Sequence, residues 1–146
     1  MTVITKSFSV KTKGDSDIID ITSKVDQCLK ESRLKSGTLT VFIPGSTAGI
    51  TTTEYEPGLL KDLPAVFEKL VPKSAHYHHD LTWGDGNGYS HVRAALLKSF
   101  FTVPFVNGQM ILGTWQQIIL VDFDNRHRNR EVVVQIMGER SADGTD

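Results

Sequence analysis

The order of strand-like and helical stretches predicts an α+β protein, a single domain with a mixed, mainly antiparallel β-sheet and three or four helices. Three observations support this prediction. The chain opens with a strand, a helix and a second strand, its middle third is helical, and three strand-like stretches follow one another near the C-terminus. Strands that succeed one another in this way are expected to be antiparallel neighbours.

The first third of the sequence predicts a strand, a helix and a second strand. Residues 3–12 partly alternate and carry β-branched side chains, which is typical of a strand. Thr22 or Ser23 is expected to cap the helix, and Gly37 to end it in the left-handed conformation. Its apolar stripe consists of Val25, Cys28 and Leu29. Residues 38–43 form a short apolar strand that we expect in the centre of a sheet.

Two further helices are predicted in the middle of the chain. Pro57 suits the first turn of a helix, where its missing N–H group has no cost, and Pro64 should kink or split that helix. Its core face would consist of Leu59, Leu60, Leu63, Val66, Phe67 and Leu70. Another helix is expected from Ser90 onward. Its buried face would consist of Val92, Ala95, Leu96 and Phe100.

The C-terminal part predicts a long β-hairpin over residues 101–124. Asn107 and Gly108 favour its two-residue turn, because both tolerate positive φ angles. Pro104 would lie at a sheet edge or a bulge, and Trp115 is expected in the core. The last strand closes the sheet, so the domain is expected to cover residues 1–138. Residues 139–146 would form a disordered polar tail.

Composition restricts the classes of function. A chain of 146 residues with a net charge near −1 gives no electrostatic reason to expect nucleic acid or an anionic membrane as a partner. Cys28 is the single cysteine, so neither an internal disulfide nor a cysteine-rich zinc module can form. Because no apolar run approaches the roughly 20 residues of a membrane helix, we expect a cytoplasmic protein.

Four of the five histidines lie within residues 76–91. His79 and His91 flank a glycine-rich turn that could bring two imidazoles together as ligands of a metal ion. A carboxylate would supply the third ligand, from Asp80, Asp85, Glu54 or Glu56. A metal site, an acid–base site and a polar loop all remain open, whereas His76 and His78 are expected to be solvated.

Three other stretches are candidates for binding. "GDGNG" (84–88) precedes a helix, whose free N–H groups could bind an anion, although the pattern alone favours a tight turn. "GSTAG" (45–49) is either an oxyanion-binding loop or a solvent loop. "GTWQQ" (113–117) is expected in the middle of a strand, with Thr114 and Gln116 on a pocket wall or a subunit interface.

Four stretches together resemble the YjbQ-like family of small bacterial and archaeal proteins, which often carry the label secondary thiamine-phosphate synthase. They are "GSTAGITTTEYEPG" (45–58), "GDGNGYSHVRAALL" (84–97), "VPFVNGQMILGTWQQIILVDFD" (103–124) and "REVVVQIMG" (130–138). The resemblance covers nearly the whole chain up to about residue 138. It implies a homotrimer with a histidine-lined polar pocket near the subunit contacts.

The resemblance also implies roles for individual residues. His91, Glu54 and Gln116 would be catalytic, and His79 and His91 would hold a metal. Residues expected to bind the ligand are Ser46, Thr47, Asp85, Asn87, Arg93, Thr114 and Arg126. The chain departs from many members at Ser46 and at Tyr89, where they carry histidine. This favours a site of two histidines and a carboxylate, or an acid–base site, over three histidines.

The implied reaction joins a pyrimidine pyrophosphate to a thiazole phosphate. Such chemistry needs cations on the pyrophosphate, so zinc or magnesium is the expected cofactor and a small phosphorylated molecule the expected partner. Two alternatives are a non-catalytic trimer that binds a metal or a phosphorylated metabolite, and a hydrolase that depends on a metal ion.

Overall fold

A computed structural model describes residues 1–141, which form two antiparallel sheets and four helices. The strands are β1 (Thr2–Thr12), β2 (Asp17–Asp20), β3 (Ser36–Phe42), β4 (Ala48–Thr53), β5 (Phe100–Val106), β6 (Gln109–Met110), β7 (Gln117–Asp122) and β8 (Arg128–Glu139). The helices are α1 (Thr22–Ser32), α2 (Pro57–Leu70), α3 (His78–Trp83) and α4 (Gly88–Leu97). This architecture confirms the predicted α+β class with antiparallel pairing.

The strands are distributed between a five-stranded and a three-stranded sheet. The larger sheet has the order β1-β8-β3-β5-β6 and the smaller sheet the order β2-β7-β4. β3 lies between β8 and β5, which confirms its predicted central place. In β8, residues 130, 132, 134, 136 and 138 are buried and their neighbours are more exposed, as expected for a strand with one core face.

Two hydrophobic clusters occupy opposite faces of the smaller sheet. The larger cluster combines side chains from both sheets with the apolar stripe of α1, including the predicted Val25, Cys28 and Leu29. The second cluster packs α2 and α4 against the other face through Phe67 and Ala94. β7 is therefore covered on both faces, which explains why its apolar run does not alternate with polar residues.

The ends of α1 differ from the prediction. Neither Thr22 nor Ser23 caps the helix with its side chain; instead Asp20 accepts hydrogen bonds from the backbone and hydroxyl of Thr22. The left-handed residue at the other end is Arg33. Gly37 lies in β3, and a Cβ atom there would be 2.0 Å from the carbonyl oxygen of Met137. Close contact between neighbouring strands, and not helix termination, therefore requires glycine at this position.

The buried faces of α2 and α4 differ in part from the prediction. α2 runs unbroken through Pro64, and Phe67 is its one buried residue, with the predicted Leu60 and Leu63 packed against the same cluster. In α4 the predicted core residues Val92 and Leu96 are 41% and 60% exposed, and Phe100 lies beyond the helix in β5. The buried residues of α4 are Gly88, Tyr89, Ser90, Arg93 and Ala94. Because α4 carries apolar residues on both sides, its periodicity does not identify the buried side.

The predicted long hairpin is short. Asn107 and Gly108 do have positive φ angles, but β5 pairs with β6 at only two positions. The chain then leaves the larger sheet, and β7 pairs with β2 and β4 in the smaller one. Trp115 is consequently 72% exposed, so its predicted place in the core is wrong. A local pattern gives strand identity but not the partner of each strand, because pairing depends on tertiary packing.

The ends of the described chain bear on two other expectations. β8 continues through Glu139, one residue past the predicted domain boundary. Most of the predicted disordered tail, residues 142–146, lies outside the described residues. Among residues 1–141, none of the helices combines the length and apolar character needed to cross a membrane.

Candidate functional site

A polar cavity of about 390 Å³ lies at the end of the smaller sheet where β4 begins and β7 ends. Residues from five parts of the chain line it: the loop before β4, α3, the turn between α3 and α4, the start of α4, and β8. They are Gly45, Ser46, Thr47, His79, Trp83, Asp85, Asn87, His91, Arg128 and Arg130. The cavity therefore unites six residues that the sequence analysis proposed for a site: Ser46, Thr47, His79, Asp85, Asn87 and His91.

A buried ion pair forms the base of this cavity. The guanidinium of Arg130 donates from Nε and Nη2 to the carboxylate of Asp122, at 2.7 and 2.9 Å. Asp122 is completely buried and also accepts a hydrogen bond from Thr12. Arg130 Nη2 donates to the hydroxyl of Thr47 at 2.7 Å, so the ion pair fixes the loop before β4.

Asp124 links Arg128 of β8 to Asn87, the residue before α4. Its buried carboxylate accepts hydrogen bonds from Arg128 Nε, the backbone N–H of Asn125 and Asn87 Nδ2. Burial alone would raise the pKa of Asp124, but these hydrogen bonds outweigh it and hold the pKa below its ordinary value. An ionised carboxylate thus connects β8 to the residue that precedes α4.

Three possible metal ligands converge on α3 and the turn that follows it. His79 Nδ1 lies 3.8 Å from a carboxylate oxygen of Asp80 and 4.0 Å from one of Asp85. One ligand atom from each of these residues lies within 4.8 Å of the others. His79 Nδ1 is buried and has no hydrogen-bond partner among the described residues. A buried polar atom without a partner is unusual, and a bound group would satisfy it.

His91 accompanies this cluster from the first turn of α4. Its ring centre is 4.3 Å from that of His79, and the planes are inclined by 39°. Burial and the neighbouring imidazole lower the pKa of His91, and their effect exceeds the opposing influence of Asp124 and Asp85. His91 is therefore neutral at physiological pH, which is the form that can accept a proton or bind a metal.

The donor set fits some metals better than others. Imidazole nitrogen and carboxylate oxygen are common zinc ligands, whereas magnesium favours oxygen ligands and water. Ligands at about 2.0–2.1 Å from a tetrahedral zinc ion are separated by about 3.3 Å. The distances of His79 from Asp80 and Asp85, 3.8 and 4.0 Å, would need to shorten by about 0.5–0.7 Å, within a set of atoms that spans up to 4.8 Å. The residues present therefore fit zinc or a similar transition metal.

The glycine-rich turn acts mainly as a positioning element. Asp80 accepts a hydrogen bond from the backbone N–H of Gly88 at 2.9 Å, so the start of α4 is occupied by a protein carboxylate. Asn125 donates from its side chain to the carbonyl of Asp85. The predicted anion site at this helix start is therefore not formed by the N–H of Gly88.

The other predicted site residues lie elsewhere. Glu54 follows the far end of β4, and Gln116 precedes the start of β7, where its side chain donates to Thr52. Thr114 is exposed beside it, in a turn rather than within a strand, because Gln116 accepts a hydrogen bond from the N–H of Gly113. The six residues of β4 separate Glu54 from Thr47 at the cavity end, which corresponds to about 20 Å of extended chain.

Two arginines predicted to bind phosphate are also outside the cavity. Arg93 is 4% exposed and donates to the carbonyl of Val71, to Ser16 and to Glu68, so its role is structural. Arg126 lies in an exposed turn before β8. His76 and His78 are exposed before and at the start of α3, as predicted.

The sequence analysis gives no role to Asp122, Asp124 and Arg130, whose stretches predict only strands. Arg128 is an alternative to Arg126 as a phosphate ligand, but its pairing with Asp124 is not expected from the sequence. The signal was present: two carboxylates interrupt an apolar strand, and two arginines follow at alternating positions. Charged residues at positions that should be buried are expected to pair with one another.

A second cavity of comparable size, about 480 Å³, lies at the opposite end of the smaller sheet. It is lined by Asp20, Thr22, Ser23, Asp26, Lys30, Gln109, Met110, Leu112 and Gln117. This set contains neither histidine nor a buried polar atom without a partner. The chemistry of the side chains therefore favours the histidine cavity as the functional site.

Residues 6–139 match the model of the family described as UPF0047 protein YjbQ-like. The chain belongs to this family. A UPF0047 protein of Methanothermobacter thermautotrophicus is 40% identical over 139 residues, which are 95% of each chain. YugU of Bacillus subtilis, another UPF0047 protein, is 33% identical over 91% of this chain and 98% of its own.

Solved structures of the UPF0047 family share the fold. A YbjQ-like protein of unknown function from Sulfolobus solfataricus superposes with a TM-score of 0.90 at 32% identity, covering 94% of this chain and 99% of the other. A YjbQ/UPF0047 protein from Clostridium acetobutylicum gives a TM-score of 0.83 at 37% identity, covering 90% and 99%. The family and the fold that the resemblance implied are thus confirmed.

Proposed function

We propose that this UPF0047 protein uses a transition metal, held by His79 and Asp85, to bind and hydrolyse a phosphorylated small molecule. Asp80 and His91 complete the set of residues around the metal. The observation that carries the proposal is the buried Nδ1 atom of His79, which has no hydrogen-bond partner in the described chain and lies near two carboxylates.

The charges around the cavity favour a cation. Arg130 is 2.7 Å from Asp122 and Arg128 is 2.6 Å from Asp124, so these four charges balance in pairs. Asp80 and Asp85 instead have His79 as their neighbouring basic side chain. The excess charge of the site is therefore negative, and a phosphate would be repelled unless a metal ion were bound first.

Once the metal is bound, other residues can hold the anionic ligand. Arg128 is paired with Asp124 but its side chain is still 33% exposed, and it lines the cavity. Its remaining N–H groups could donate to phosphate oxygens. Ser46 also lines the cavity, in a loop that Thr47 fixes through Asp124 and Arg130. The ligand would thus be held between β8 and the loop before β4.

His91 is proposed as the general base. A divalent metal in the site would supply a Lewis acid and lower the pKa of water. Neutral His91 would accept the proton of the attacking water while the bond between phosphorus and the leaving oxygen breaks. The leaving oxygen would then receive a proton from solvent or from the imidazolium of His91.

The first test is elemental mass spectrometry of protein purified without a histidine tag or a chelator. We expect about one zinc or related metal ion per chain, and loss of the metal in His79→Ala. Glu54→Gln is the matched control, because Glu54 lies at the far end of β4 and should leave the metal content unchanged. Folded wild-type protein without metal, even after incubation with zinc, would contradict the proposal.

Thiamine-phosphate synthesis is the second reaction to test, because the family resemblance implies it. In that reaction the thiazole nitrogen attacks the methylene carbon of the pyrimidine, and the carbon–oxygen bond to pyrophosphate breaks. The test supplies both substrates with either zinc or magnesium and measures thiamine phosphate and inorganic phosphate by chromatography. Formation of thiamine phosphate that depends on His91 would establish a transferase, whereas inorganic phosphate alone would establish a hydrolase.

We also propose the homotrimer that the resemblance implies. Its support is the apolar outer face of α4, where Val92 and Leu96 are 41% and 60% exposed, next to His91. Sedimentation should give three times the chain mass of 16.2 kDa for the wild type. Leu96→Glu should shift the protein toward a monomer, while Leu81→Glu on α3 serves as an exposed apolar control.

A further inference from the structure

The side-chain oxygen of Asn87 is the second buried polar atom in the cavity that has no hydrogen-bond partner among the described residues. Asn87 is 6% exposed, lines the cavity with His79 and His91, and immediately precedes α4. Leaving an amide oxygen buried without a donor destabilises a protein. The position of Asn87 in the cavity wall suggests that a bound molecule provides the missing donor.

The orientation of the amide explains why the oxygen, and not the nitrogen, is the atom without a partner. Asn87 Nδ2 donates to Asp124 Oδ1 at 3.3 Å. Asp124 also accepts from Arg128 and from the N–H of Asn125, so it is an ionised carboxylate that can only accept. Rotating the amide by 180° would bring two oxygen acceptors together. Asp124 thus fixes Asn87 Oδ1 as an acceptor.

A role as a further ligand of the metal ion explains the unpartnered Asn87 Oδ1 less well. Zinc in proteins is bound by cysteine, histidine and acidic side chains, and amide oxygen is not among its usual ligands. The three atoms that converge for a metal belong to His79, Asp80 and Asp85. Asn87 is therefore better suited to recognise the organic part of the ligand than to hold the ion.

We infer that Asn87 is a specificity residue, which selects phosphorylated molecules that carry a hydroxyl or N–H donor near the phosphate. This inference rests on the proposed function, because the phosphate is assumed to bind at the metal and Arg128. It adds the chemical class of the substrate: a phosphorylated alcohol, sugar or amine, in preference to a simple alkyl phosphate. A site that hydrogen-bonds a substrate group discriminates strongly against analogues that lack it.

Glycerol 1-phosphate and propyl phosphate form a matched pair of probes, because they differ only in two hydroxyl groups. Isothermal titration of zinc-loaded wild-type protein should show glycerol 1-phosphate binding about tenfold or more tightly. In Asn87→Ala this preference should disappear, while propyl phosphate affinity and zinc content stay unchanged. Arg128, the backbone N–H of Asn125 and Thr47 still donate to Asp124 in this variant.

Three outcomes would overturn the inference, and they can be told apart. Equal affinity of the two probes for wild-type protein would show that the hydroxyl groups are not recognised, and this result does not depend on a folded variant. Loss of zinc in Asn87→Ala would make Asn87 a metal ligand. Failure of inorganic phosphate and both esters to bind wild-type protein would instead refute the proposed function itself.

Discussion

Both ends of the smaller sheet carry residues that the sequence analysis proposed for a site, but the two ends differ in structure. At one end, where Ala48 pairs with Asp122, buried ion pairs fix the loops and α4 around His79 and His91. At the other end, where Thr53 pairs with Gln117, the conspicuous stretch 113–117 forms an exposed turn. The first end is therefore the one that places histidines, carboxylates and buried ion pairs around a cavity.

The two ends differ in how firmly their polar side chains are held in place. Thr47 and Asn87 belong to glycine-rich stretches, but both donate to the buried carboxylate of Asp124, in the turn between β7 and β8. Arg130 of β8 also donates to Thr47. Within residues 1–141, the side chain of Gln116 hydrogen-bonds to Thr52 and to the N–H of Gly113, and Glu54 is exposed. Preorganisation by buried charges therefore distinguishes the histidine end from the far end.

The largest effect is expected at the buried pair beneath the histidine cavity. Arg130→Met should lower the free energy of unfolding by about 3–5 kcal/mol, because it leaves Asp122 charged and buried without its partner. Urea denaturation measures the change. Arg128→Met is the matched control and should cost less, since Arg128 is more exposed. Equal losses would mean that burial does not determine the contribution of these pairs.

Catalytic variants compare the two ends directly. His91→Ala should reduce hydrolysis of p-nitrophenyl phosphate by about 10²–10⁴-fold, the usual contribution of a general base. Glu54→Gln and Gln116→Ala should change the hydrolysis rate less than about twofold, because both residues lie at the far end of the smaller sheet in the same chain. Steady-state rates of zinc-loaded proteins measure this. A large loss in Glu54→Gln would indicate that a neighbouring subunit brings the far end to the cavity.

Acid should weaken the histidine end through Asp124. Its pKa is lower in the folded protein than the unfolded value of about 3.9, so its stabilisation is present above that value and disappears as pH falls through the folded-state pKa. Asp124→Asn should cost about 1.5–3 kcal/mol at neutral pH. Its deficit relative to wild type should shrink below about pH 4. Urea denaturation between pH 7 and pH 3 measures both, and a deficit independent of pH would contradict the assignment.

The smallest effect on chain stability is expected at the far end. Trp115→Ala should change the free energy of unfolding by about 0.5 kcal/mol or less, because Trp115 is 72% exposed. Phe123→Ala, which empties a buried position, should cost about 3–5 kcal/mol and is the control. Thermal and urea unfolding measure both variants. A cost for Trp115 close to that of Phe123 would mean that the tryptophan is covered in the assembled protein.

The sequence determined the fold class, most strand positions and six of the ten residues that line the histidine cavity. Local signals are sufficient where several agree: α1 has one apolar stripe, β8 alternates over nine residues, and Asn107 and Gly108 adopt the positive φ angles that their turn requires. His79 and His91 could be paired because only a short glycine-rich turn separates α3 from α4. The family resemblance implied the same α+β class.

Tertiary structure alone decided which strands pair, which side of α4 is buried, and which polar residues meet. β7 could not be assigned to a separate sheet, because its pattern is also compatible with the hairpin. Arg93 was expected to bind phosphate but is buried against Val71 and Glu68. The charges of Asp122 and Asp124 acquire their role only through Arg130 and Arg128. Such pairing depends on long-range burial, where the need to neutralise each charge selects its partner.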